Sequence, residues 1–158
     1  MIIAKSFEVQ NSRAVKELMK LLNEQFGVEE KLGFVFLRNS KDKVYVVNRD
    51  IDSIDLNKIW IDSLGLYFGK FQSDGFRPSI EGSQIISKFA TKSILKLNQE
   101  QKHEWMKGHD VPVEWPNELV LVKSGNDFLG SGKVKNNSLL NSIPKSRRLN
   151  TVNESFSE

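Results

Sequence analysis

The sequence predicts an α+β protein built from two small mixed units. Three observations carry that expectation. An amphipathic stripe over residues 12–26 has helical spacing, short β-branched and aromatic runs follow it and recur in the second half, and a turn-and-proline cluster at residues 73–78 separates stretches of different composition. The boundary implied there gives residues 1–75 as a leading α+β unit, residues 76–150 as a second unit and residues 151–158 as a polar, frayed tail. Units of this size are marginal alone, so the two are expected to pack together.

In the leading unit, Val15, Leu18, Met19, Leu22 and Phe26 share one helical face, with Lys16, Glu17, Lys20, Asn23 and Glu24 on the other. Ser12 is placed to cap the start, and Gly27 to stop the end in a left-handed conformation. Residues 33–38 (GFVFLR) and 43–49 (KVYVVNR) suggest an antiparallel hairpin. Residues 63–72 (SLGLYFGKFQ) suggest a third strand, ending at a turn on Asp74-Gly75. The second unit opens with a helix over residues 81–90 that buries Ile85, Ile86 and Phe89, followed by a strand over residues 93–97. Asn98 and Gln101 resemble a capping box for a helix reaching Lys107 and ended by Gly108. HDVPVEWPNE, with its two prolines, reads as a loop; LVLV at residues 119–122 is apolar on both faces and reads as a central strand.

Composition narrows the function classes. The 158 residues have a mean hydropathy of −0.40 and are 39% hydrophobic, enough for a core. No apolar run reaches the roughly 18 residues of a membrane span. Lys5 interrupts the leading MIIAKSF too early for a secretory core, so a cytoplasmic protein without a membrane partner is expected. The chain has no cysteine, which removes disulfides, thiolate metal sites and cysteine nucleophiles together.

Charge is unevenly spread. Residues 130–149 hold Lys133, Lys135, Lys145, Arg147 and Arg148 and no carboxylate. Those five positive charges and the two negative ones of Glu154 and Glu158 account for the whole net charge of +3, so residues 1–129 are neutral. Concentration in one strip is the footprint of a polyanion contact. The competing reading is a solvated edge strand on which lysine discourages aggregation.

Other motifs carry less. GSGKV at residues 130–134 has a Gly-Lys pair, but Asp127 occupies the first glycine position of a phosphate loop and Val134 replaces its hydroxyl. The glycines there read as close backbone packing or a bulge. His103 and His109 in HEWMKGH are six apart rather than four, so a zinc-protease helix face is not formed. DIDSID at residues 50–55 puts Ile54 and Leu56 at calcium-ligand positions and has no glycine. No metal, cofactor or catalytic group is expected.

Three stretches then occur in a suggestive order: GLYFGKFQSDGFRPSIEGSQII (65–86), KGHDV (107–111) and LGSGKVKNNSLLNSIPKSRRL (129–149). Together they resemble the PUA-like RNA-binding domain that ends Fmu/RsmF-type ribosomal RNA cytosine-5 methyltransferases, with standalone archaeal relatives that carry an extra α/β unit before it. The Asn-x-x-Pro-Lys-x-x-Arg series at Asn141, Pro144, Lys145 and Arg148 is the most specific part. The resemblance implies that residues 76–150 form a PUA-like mixed β-barrel that binds structured RNA. Two departures are plain. The enzymes' catalytic cysteines have no counterpart, and no Rossmann-type glycine motif follows an early strand, so methylation by this polypeptide alone is not expected. Leu140 also stands where many of the bacterial domains carry lysine.

The expected function is therefore non-catalytic binding of ribosomal RNA, during ribosome biogenesis, or of transfer RNA. Lys133, Lys135, Asn141, Lys145, Arg147 and Arg148 would make the contact, with Arg77, Lys88 and Lys92 extending it and Gly130 and Gly132 letting the backbone approach. The rival reading is an adaptor whose leading unit docks an RNA-modification methyltransferase or a ribosome-assembly protein. A small enzyme of unknown reaction ranks third.

Overall fold

The computed structural model describes residues 2–3, 7–48 and 65–149; the DIDSID segment and the tail after residue 149 lie outside the described residues. The described chain is mixed α/β, with two antiparallel-rich sheets and three α-helices. The first sheet has six strands in chain order: β1 (Ile2–Ile3), β2 (Phe7–Val9), β3 (Phe34–Asn39), β4 (Lys43–Asn48), β5 (Leu66–Gln72) and β6 (Gly75–Pro78). Helix α1 (Ser12–Phe26) follows β2. Its cap is Asn11, one residue earlier than expected, whose Oδ1 accepts from the Ala14 amide at 2.9 Å. Gly27 ends it at φ 71°, as its position after the apolar stripe implied.

Alternation along β3 and β4 sorts the side chains into two sets. Phe36, Val44 and Val46 face α1 and bury against Leu18, Leu22 and Phe26. Leu37, Tyr45 and Val47 turn to the opposite face. The expected hairpin is present, and so is the third strand. The strand β6 was not anticipated: it pairs with β5 across a two-residue turn at Ser73-Asp74, so the boundary expected at residues 75/76 falls inside a hairpin of one sheet.

The second sheet runs β7 (Ile94–Lys96), β9 (Leu119–Ser124), β10 (Asp127–Lys135), β11 (Ser138–Leu140) and β8 (Val111–Pro112) in spatial order. Helix α2 (Ile80–Ile86) precedes it, shorter than expected, and α3 (Gln99–Met106) follows β7 with the Asn98/Gln101 capping box formed in both directions. HDVPVEWPNE is not wholly loop, because Val111–Pro112 adds a short edge strand to β11. The proline tolerates that place because an edge residue has no obligatory ladder donor. The described pairings leave β7 and β8 as edges of an open sheet, so a closed barrel is not formed by them.

β9 explains how the sheets join. Leu119 and Leu121 pack into the first core with Phe36 and Phe68, while Val120 and Val122 pack into a second core with Trp105, Val134 and Leu139. A strand buried on both faces must be apolar throughout, which is what LVLV provides. Helix α2 lies against β5 and β10, and Ser131 Oγ on β10 donates to the Pro78 carbonyl on β6 at 2.5 Å. No helix among the described residues is long and apolar enough to cross a membrane.

Candidate nucleic-acid interface

Two hairpins carry the basic stretch. β9 turns into β10 at Gly125-Asn126, and β10 turns into β11 at Asn136-Asn137, both of which have positive φ (51° and 59°). Two consecutive left-handed residues match the twist of a two-residue hairpin, and asparagine tolerates that conformation. The register sets Lys133 opposite Leu140 and Lys135 opposite Ser138. Strand alternation then points both lysines outward and buries Val134 between them.

Lys133, Lys135 and Lys92 share an open depression of about 620 Å³, but Glu24, Asp74 and Glu118 line it as well. Lys133 Nζ lies 2.7 Å from Asp74 Oδ2. That hydrogen bond holds the Asp74 carboxyl below its ordinary value of 3.8, against the opposing effect of burial and with a smaller pull from Arg77. Arg147 and Arg77 meet elsewhere, at a cleft of about 100 Å³ shared with Tyr67, Glu81 and Ser142. Arg147 Nη1 donates to the Glu81 carboxylate, and Arg77 shares the cleft with the Tyr67 side chain. Burial pushes the Tyr67 hydroxyl upward, and the Arg77 charge opposes it.

Two of the expected contact residues bond the protein's own backbone. Asn141 Nδ2 donates to the carbonyls of Trp105 (2.8 Å) and His109 (3.0 Å), while its Oδ1 accepts from the Ile143 amide at 2.9 Å. Its amide is therefore committed to tying the chain after β11 to the end of α3. Arg148 lies across Gly108, where a Cβ would overlap its Cδ, and its Nε donates to the Ile143 carbonyl at 3.0 Å. The most specific residues of the sequence series thus include two that act on the domain's own backbone. Lys145 begins a single 3-10 turn (Lys145–Arg147) after Pro144, which itself stands four residues past the end of β11. Lys88 projects beyond α2. Among the described residues Lys88, Lys135 and Lys145 have no ion-pair partner and are exposed.

The expected continuous strip is therefore divided into a mixed-charge depression, an arginine cleft and separate exposed lysines. The two carboxylate pairs remain open to exchange. Their side chains keep 46% and 32% exposure for Lys133–Asp74, and 47% and 31% for Arg147–Glu81. Surface pairs of this kind contribute about 0–1 kcal/mol, so a phosphate can displace the carboxylate.

Gly130 and Gly132 are both buried, and Gly130 belongs to the lining of the cleft that holds Arg77 and Arg147. Gly130, at φ 116°, sits at the bulge in the β9–β10 register, and a Cβ on Gly132 would lie 2.8 Å from Leu139 Cδ1 and 3.0 Å from Trp105 Cη2. GSGKV is thus strand, not phosphate loop. His109 Nδ1 lies 2.6 Å from Glu104 Oε2, across the Gly108 turn from the helix that carries His103. Among the described residues no group of three or more His, Asp or Glu side chains is placed to hold a metal ion. Sequence reasoning missed Asp74, Glu81 and Tyr67; their proximity depends on how β5, β6 and α2 meet β10, which no local pattern reports.

Residues 92–149 match the family described as the methyltransferase RsmF PUA domain. This stretch is a PUA-like domain that resembles the C-terminal domain of RsmF. The whole first sheet lies outside the match. Among curated proteins nothing matches the chain.

Proposed function

We propose that the protein binds structured RNA, ribosomal or transfer RNA, through its PUA-like unit, without catalysing a reaction on it, in the cytoplasm and in the service of ribosome biogenesis or RNA modification. The family match over residues 92–149 carries this reading, since PUA domains are generally RNA-binding modules. Lys135 and Lys145 reach phosphates directly, and Lys133 and Arg147 do so by exchanging their carboxylates. Lys88, Lys92 and Arg77 extend the surface, while Asn141 and Arg148 support it from behind. The division of the chain belongs to the same proposal, placed after Pro78 so that the β5–β6 hairpin stays whole. Replacing Lys135 and Lys145 together by alanine weakens binding of labelled transfer RNA or a ribosomal RNA fragment and leaves the melting temperature unchanged. Unaltered affinity would count against the reading.

One observation favours a second reading, an adaptor that docks an RNA-modification methyltransferase or ribosome-assembly protein. Between α1 and β3 lies an open groove of about 800 Å³ whose lining includes Val15, Met19, Leu32 and Phe34 with Lys16 and Lys20. A partner retained after nuclease treatment, and released by Met19→Glu, would support it.

A further inference from the structure

We propose that the first sheet carries a phosphate track of its own, the cross-strand row Lys43, Lys70 and Arg77, which continues the RNA contact of the PUA-like unit. The inference rests on the RNA-binding reading above and goes beyond it, because this sheet lies outside the family match.

Registers place Lys43 directly opposite Lys70, and Lys70 directly opposite Arg77. Directly opposed residues point to the same face, so three cations stand side by side on β4, β5 and β6. Strands are about 4.8 Å apart, and the row spans roughly 10 Å, about one Debye length at 0.1 M salt. The three charges therefore act as one field. Like charges directly opposed in a sheet cost stability, and a sequence selected for folding alone has no reason to align three of them.

No carboxylate among the described residues forms an ion pair with Lys43, Lys70 or Arg77; Asp74, the nearest to Arg77 in effect, is held by Lys133. Tyr67 is the shared neighbour: Lys43 Nζ stands 5.7 Å from its ring centre, and Arg77 lines the same cleft as Tyr67. A bulge between Val44 and Tyr45 brings Tyr67 to this face although it is three residues from Lys70. A cation resting on an aromatic ring keeps its charge for a ligand.

The row also leads somewhere. Arg77 ends it inside the cleft where Arg147 of the C-terminal stretch waits, gated by Glu81. A phosphodiester entering that cleft meets a guanidinium from each sheet's side, and the adjoining phosphates continue over Lys70 and Lys43. Guanidinium forks suit the bridging position, and lysines suit the less directional contacts beyond it.

The test is the triple variant Lys43→Gln, Lys70→Gln, Arg77→Gln in the full chain, with fluorescently labelled bulk transfer RNA as probe and polyglutamate as a second polyanion. The track predicts affinity lowered roughly tenfold or more, and a plot of log affinity against log salt flatter by about 2, at about 0.7 for each phosphate no longer neutralised. The melting temperature is unchanged or higher, because repulsion has been removed. Wild-type affinity and slope in this variant, alongside weakened binding by Lys135→Ala with Lys145→Ala, would discard the track and keep the RNA reading. Failure of the unmodified protein to bind RNA would discard both. Loss of polyglutamate binding with RNA binding intact would assign the row to an acidic protein and overturn the proposal. Should the triple variant fold poorly, Lys70→Gln alone decides: a slope identical to wild type rejects the track.

Discussion

At the scale of single residues, Asn141 and Asp74 show how charge and amide chemistry divide between fold and ligand. Asn141 makes three side-chain hydrogen bonds to backbone on two segments. At about 0.5–1.5 kcal/mol each, Asn141→Ala costs about 2–4 kcal/mol in urea denaturation, the opposite of what a solvent-facing RNA contact would give. Asp74 has a folded pKa below its unfolded value, so its contribution is complete above an unfolded value near 3.8 and disappears as pH falls through the folded one. Carboxyl NMR in a Lys133→Met variant should show Asp74 titrating closer to 3.8, because its first cause of depression has been removed. An unmoved titration would mean that the Lys133 contact is not formed in solution.

At the scale of elements, the β10–β11 hairpin is the most exacting piece. Gly132 leaves room for Trp105 and Leu139, so Gly132→Ala overpacks the second core and costs about 1–3 kcal/mol in thermal or urea unfolding. The same element shows what was legible in the sequence. Periodicity gave α1 and its glycine stop, the capping box gave α3, and a doubly apolar run gave β9, since each rests on local spacing. The turn of β10 into β11 was equally local, for Asn136-Asn137 is a hairpin signal, yet the basic residues around it drew the stretch into a single strip. β6 escaped because Pro78 suggested a boundary rather than a strand end. Placement of the site escaped for a different reason. Which carboxylates meet Lys133 and Arg147 depends on contacts across 59 and 66 residues of sequence, and no single segment encodes them. Reading the Ser73-Asp74 turn as a two-residue hairpin would have paired Lys70 with Arg77 in advance.

For the whole molecule, β9 and α2 make one body of two sheets, and that arrangement brings Arg77 and Arg147 to the lining of one cleft. Helix α2 supplies Glu81 and the β5–β6 turn supplies Asp74, so the packing that joins the sheets also brings carboxylates to the basic side chains. These acids temper the field. Asp74→Asn with Glu81→Gln frees Lys133 and Arg147 from competing carboxylates, and should tighten RNA binding severalfold, measured by fluorescence anisotropy. The central claim, that phosphate contact by the PUA-like unit holds RNA, is tested most directly by the affinity of the unmodified protein for transfer RNA across a salt series. A log–log slope of about −3 or steeper is predicted from four or more cation–phosphate contacts; a slope near zero, or no binding at low salt, would contradict it.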